Sequence, residues 1–165
     1  MNHSKWIPTI QEVKEKKLVG LSVTTSFLND QTSNLWKKFM PSKNEILNKI
    51  SDNFYSMGVY PPNFFRNFDP SNEFVRWAAA EVKEFDTLPI GFQKCIIPQG
   101  MYAVIDYKGL NTDNSIYEFI YSQWLPQSEF ILDQRPHFEI LGKNYKNGDP
   151  DSEELIFIPV KPKIT

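Results

Sequence analysis

Leu155-Ile156-Phe157-Ile158-Pro159-Val160-Lys161 (LIFIPVK) reads as a β-strand that is apolar on both sides. Side chains alternate along a strand, so Ile156, Ile158 and Val160 share one face. Leu155, Phe157 and Pro159 share the other. A strand of this kind is covered on both faces, and the strand beside it inherits the same enclosure. Its hairpin partner is read as His137-Phe138-Glu139-Ile140-Leu141 (HFEIL). There Phe138 and Ile140 form one face, and Glu139 lies on the other with His137 and Leu141.

Reading outward, Lys17 to Phe27 (KLVGLSVTTSF) alternates and is rich in β-branched residues, which predicts a strand. Asp30 can cap a helix starting near Gln31, with Leu35, Trp36 and Phe39 on one side. Pro41 interrupts it, and a second helical stretch is expected to carry Ile46, Leu47 and Ile50. Phe54 to Tyr60 is a strand stopped by Pro61-Pro62, and Phe74 to Phe85 is a longer one. The plan then repeats. Phe92 to Ile97 leads through Pro98-Gln99-Gly100 into Met101 to Lys108 (MYAVIDYK). Asp113 can cap a helix with Ile116, Phe119, Ile120 and Trp124 on one stripe, and Pro126 ends it.

Strand, helix, strand, strand thus occurs twice, in modules of about 17–85 and 92–161. The helix ends match as Phe39-Met40-Pro41 and Trp124-Leu125-Pro126, and the closing strands as Val82-Lys83 and Val160-Lys161. The pattern predicts an α+β fold in one domain over 1–165. Two β-α-β-β modules related by a pseudo-twofold would join edge to edge into a mostly antiparallel sheet. Both helices would pack on one face, with a ligand groove between the modules.

Composition limits the function. The chain has 165 residues and a formal net charge of −2, with no long basic run, so direct nucleic-acid binding is not expected. The only cysteine, Cys95, excludes an intrachain disulfide, and the two histidines, His3 and His137, have no ligand-like neighbours in sequence. No metal and no cofactor are expected. No segment has signal-peptide or membrane-spanning character, so a cytoplasmic location is expected. With 13 Phe, 7 Tyr and 4 Trp, the chain has rings enough for a large core or a ring-lined site.

Glu139 reads in two ways. From HFEIL alone it is a solvated glutamate on an outer face. Beside LIFIPVK it looks into a partly closed space, where an unpaired carboxylate is costly. A carboxylate so placed can neutralise a cationic ligand with help from aromatic faces, or act as a general acid or base. Other candidates for the groove are Tyr60, Trp77, Tyr102, Phe157, Phe119 and Trp36, each of which also fits plain core. Glu81 is a second acid to consider, and Trp124 reads as a structural anchor.

YAVIDYKG, IYEFIYSQWLPQSEF, HFEIL and LIFIPVK together resemble the GyrI-like family, the effector-binding domain also found in AraC-type and MerR-type multidrug regulators. LVGLSVTTS, LWKKF, MGVY and FVRWAAAEV match as well, so the likeness runs from about Lys17 to Lys161. It implies two β-α-β-β modules and a ring-lined pocket for bulky, often cationic aromatic compounds, with Glu139 at its base. The chain is similar to stand-alone members, without an attached DNA-binding module. Among those, some inhibit DNA gyrase, and others hydrolyse cyclopropane-bearing natural products through a pocket glutamate. The resemblance therefore implies a small-molecule partner, with gyrase or a separate regulator as a possible protein partner and Glu139 as the catalytic group if there is turnover.

Overall fold

The computed structural model describes residues 6–164; His3 lies outside them. Nine strands form one antiparallel system: β1 Thr9–Val13, β2 Lys16–Thr25, β3 Phe54–Val59, β4 Phe74–Val82, β5 Gln93–Ile97, β6 Gly100–Lys108, β7 Phe130–Leu132, β8 His137–Leu141 and β9 Glu153–Pro162. Their order is β1-β6-β9-β8-β3-β4-β2-β5, with β7 paired to β9. Helix α1 spans Thr32–Phe39, and α2 begins at Ser115–Phe119. From there α2 continues through a π-helical turn at Ile120–Trp124 into Leu125–Gln127.

The repeat is present in the register. β3 and β8 meet at the centre, with Ser56 opposite Glu139. To either side lie β4 then β2, and β9 then β6. The outer hairpins exchange places: Val13 of β1 pairs with Gly100 of β6, while Ile97 of β5 pairs with Lys16 of β2. Only Lys14 and Glu15 join β1 to β2, yet these strands lie toward opposite ends of the sheet. The sheet is therefore bent until its ends meet. Both helices start on the same local device: Asp30 Oδ1 accepts from the Thr32 amide at 2.9 Å, and Asp113 Oδ1 accepts from the Ser115 amide at 3.0 Å.

Alternation divides the core. On the inner face Leu18, Tyr55, Met57, Tyr102, Phe138 and Phe157 form one buried cluster. Phe138 and Phe157, opposite each other, stack with centroids 4.4 Å apart. On the outer face α1 lays Leu35 and Phe39 on Val19, Ala78, Ala80 and Val82. There α2 lays Ile116 and Ile120 on Ile105, Ile156 and Ile158. Ala78 and Ala80 of β4 are small because α1 sits directly on them.

Three local expectations change. The stretch carrying Ile46, Leu47 and Ile50 is not a helix. Pro41 tightens the chain into a 3₁₀ turn at Met40–Glu45, and Asn48 then adopts left-handed φ of 66°. Ile46 is buried, whereas Leu47 and Ile50 are about half exposed. β1 (TIQEV) and β7 (FIL) were not expected, being short edge segments with little alternation to signal them. β4 ends at Val82, three residues before Phe85.

Candidate ligand groove

Glu139 stands on the outer face at the centre of the sheet, between Ser56 of β3 and Ile156 of β9. The helices flank this row, so its floor belongs to both halves of the repeat. Glu139 is partly buried, and among the described residues no Lys, Arg or His nitrogen lies within ion-pair distance of it. Its Oε1 accepts a hydrogen bond of 2.8 Å from the Tyr117 hydroxyl.

One side of α2 supplies the wall. Tyr117 and Tyr121 are one turn apart, which places both on the helix flank facing β8. The Tyr121 hydroxyl is 3.0 Å from Nδ1 of His137. His137 is buried and its pKa is pushed down to about 3, first by burial and then by Arg76 and Arg135. The imidazole is therefore neutral at physiological pH. The loop after β3 supplies the opposite wall. Tyr60 packs 4.8 Å from His137 and 4.8 Å from Phe65. Phe65 stacks on Tyr121 at 4.7 Å and on His137 at 5.2 Å. Gly58 makes this possible, since a Cβ there would meet the Tyr60 hydroxyl at 2.5 Å.

Two further charged residues share the face. Glu154 is buried, and its pKa is pushed up to about 8 by burial and by the charge of Glu139. It holds its proton at neutral pH. Arg76, on β4 opposite Gly58, feels Tyr60, Glu139, Tyr117 and Asp30. Burial opposes its charge, but these groups more than offset that and keep it protonated. The hydroxyls of Tyr60, Tyr117, Tyr121 and Tyr145 are all pushed up, first by burial, with Glu139 adding to each. The face thus sets a guanidinium and an acid that holds its proton on either side of Glu139. A cleft of about 580 Å³ opens outside the aromatic layer, bounded by Tyr60, Phe65, Tyr121 and His137.

Of the residues singled out from the sequence, Glu139 and Tyr60 lie on this face together. Trp77, Tyr102 and Phe157 do not join them: all three belong to the opposite face, in or against the inner core cluster. The hairpin pairs Phe157 with Phe138, and Glu139 with Ile156, so Phe157 points away from the carboxylate. Tyr102 donates to the Pro136 carbonyl at 2.9 Å beneath the Arg135 guanidinium. Trp36 packs edge-on against Phe39 and Phe54 in the α1 core. Phe119 packs 5.6 Å from Trp6 in the α2 core. Glu81 is on the inner face, held by the Tyr55 hydroxyl at 2.7 Å and Lys16 at 3.5 Å. Tyr117, Tyr121, Phe65, Arg76 and Glu154 were missed. The (i, i+4) tyrosines were visible beside the Ile116/Ile120 stripe, whereas Phe65 in its irregular loop gave no signal.

A two-module sheet with a ring-walled groove across its pseudo-dyad defines a small-molecule-binding domain. The chain belongs to the GyrI-like small molecule binding domain family, whose pattern matches residues 8–161. It is 28% identical over 145 residues to the transcriptional regulator BrlR of Pseudomonas aeruginosa, covering 87% of this chain and 51% of that one. It therefore spans about half the length of that curated relative. Among solved structures it is similar to the EcmrR C-terminal domain (TM-score 0.71, 14% identity, 96% of this chain and 99% of that one). It is similar also to SAV2435, solved bound to tetraphenylphosphonium (TM-score 0.67, 15% identity, 94% of each chain). At these identities the two structures establish the fold. Among the described residues, no helix is long and apolar enough to cross a membrane.

Proposed function

We propose that this domain binds bulky, positively charged aromatic molecules in the groove over β3 and β8, as a sensing or sequestering module. The observation that carries the reading is Glu139: a carboxylate in mid-sheet, between two helices, with a tyrosine on one oxygen and no ion pair among the described residues. A ligand cation there replaces water around the carboxylate. The faces of Tyr117, Tyr121 and Tyr60 attract the same charge by roughly 0.5–2 kcal/mol each. The family membership supports a small-molecule ligand, and the tetraphenylphosphonium-bound relative supports its type.

Occupancy requires Phe65 to move, because its ring fills the space between Tyr121 and His137. The loop that carries it can give way with little loss of core. Residues 60–73 contain no strand or helix, and only Phe64 among them is buried.

The test is a tryptophan-fluorescence titration with tetraphenylphosphonium and with neutral triphenylphosphine oxide. Binding of the cation at least tenfold tighter than the oxide, with the difference abolished by Glu139→Gln, is the expected result. Equal affinity for both compounds, unchanged in the variant, refutes the charge role.

A further inference from the structure

Arg76 does something the cation reading does not require. Two side-chain atoms stand out as fully buried without a hydrogen-bond partner among the described residues, and Arg76 Nε is one of them. Alternation along β4 places Arg76 on the same face as Phe74 and Ala78. That is the face of Glu139 and Tyr60. The residue opposite it on β3 is Gly58, over which the Tyr60 ring packs, so the Tyr60 hydroxyl is a hydrogen-bonding neighbour of the guanidinium while Nε stays without an acceptor. The guanidinium lies 5.1 Å from the Phe74 ring centroid. Among the described residues, no carboxylate comes within ion-pair distance of it.

An N–H buried without an acceptor is expensive, and more so on a charged group. Native proteins seldom keep one unless a water, ion or ligand completes it. Here the unfilled donor lies buried beside Tyr60, one of the rings that wall the groove. The approach has a matching sign. The outer cleft is lined by Arg66, Arg135, Lys161 and Lys163 against a single carboxylate, Asp133. Asp133 is itself engaged by Arg135 at 2.9 Å. A simple cation meets an unfavourable field at that mouth, whereas an acceptor group is drawn through it.

We infer that the groove is bipolar, and that its preferred ligands are amphoteric aromatic molecules. A cationic centre sits at Glu139, and a carboxylate, phosphoryl or other strong oxygen acceptor on the same molecule sits at Arg76. The inference rests on the reading of Glu139 above and adds the second anchor. Arginine suits that role, since its planar fork meets an oxyanion with two parallel N–H donors.

Rhodamine B and its ethyl ester share one cationic ring system and differ in a free carboxylate. Fluorescence anisotropy with the two dyes tests the inference on the intact chain. Wild-type protein is expected to bind the free acid at least tenfold tighter than the ester, and Arg76→Met is expected to bring that ratio to about one. Arg76→Lys, which keeps the charge but not the fork, is expected to retain part of the preference. Equal wild-type affinity for the two dyes, or tighter binding of the ester, overturns the inference without recourse to any variant. So does an Arg76→Met protein that weakens both dyes by the same factor. A result in which the ester binds, loses affinity in Glu139→Gln, and is matched by the acid leaves the cation site standing and removes only the acceptor site. Binding of neither dye, with no response to tetraphenylphosphonium, removes both.

Discussion

Glu154 shares the outer sheet face with Glu139. Glu154 is buried beside a charge of its own sign, and its proton is retained to about pH 8. A carboxyl whose folded pKa lies above its unfolded value binds protons more tightly in the native state. Its contribution is therefore intact below the ordinary pKa of 4.5 and is lost as pH rises toward 8. Stability should fall across that window, and Glu154→Gln should flatten the fall and raise the melting temperature at pH 8. Thermal denaturation from pH 5 to pH 9 checks this; an identical slope in the variant contradicts it. Gly58 makes a second residue-scale test. A methyl group there collides with Tyr60, so Gly58→Ala should destabilise the fold by roughly 1–3 kcal/mol, the scale of overpacking a tight core. Urea denaturation measures it, and a wild-type midpoint would show that Tyr60 is free to move.

At the scale of elements, LIFIPVK and HFEIL told most. The two apolar faces of β9 predicted cover on both sides, and the structure covers one with α2 and the other with the inner cluster. The stacked Phe138–Phe157 pair is the centre of that inner core. Phe138→Ala should cost about 3–5 kcal/mol of stability by chemical denaturation; a loss under 1 kcal/mol would mean the face is not packed as described. What could not be read was the face on which each ring lands. Trp77, Tyr102 and Phe157 are aromatic residues on the right strands but on the wrong side. One residue of register decides the side, and periodicity does not give register where both faces are apolar. Phe65 was invisible for another reason: it acts from a loop whose path is fixed only by the tertiary contacts of Phe64 and Phe65 with Tyr60 and Tyr121.

At the scale of the molecule, the repeated strand-helix-strand-strand order and the aspartates just ahead of the two helix starts were legible, although Gln31 and Asn114 hold the cap positions, and the exchanged outer hairpins were not. The exchange follows from the bend, which no local pattern encodes. It also makes β1 structural, because β1 closes the edge of β6 and delivers Val13 to the inner cluster. His137 adds a second pH limit to the whole fold. Its folded pKa of about 3 lies below the ordinary 6.5, so the unfolded chain takes up the proton first and stability drains away as pH falls between those values. His137→Gln should extend the acid limit of folding, read by circular dichroism from pH 7 to pH 3. The central claim is that one groove, over the β3–β8 pair, is where the molecule meets its ligand. A co-crystal structure with tetraphenylphosphonium tests it most directly. The account predicts the phosphonium above Glu139, its rings against Tyr117 and Tyr121, and Phe65 displaced; a cation lodged in the outer cleft with Phe65 still stacked between Tyr121 and His137 would contradict it.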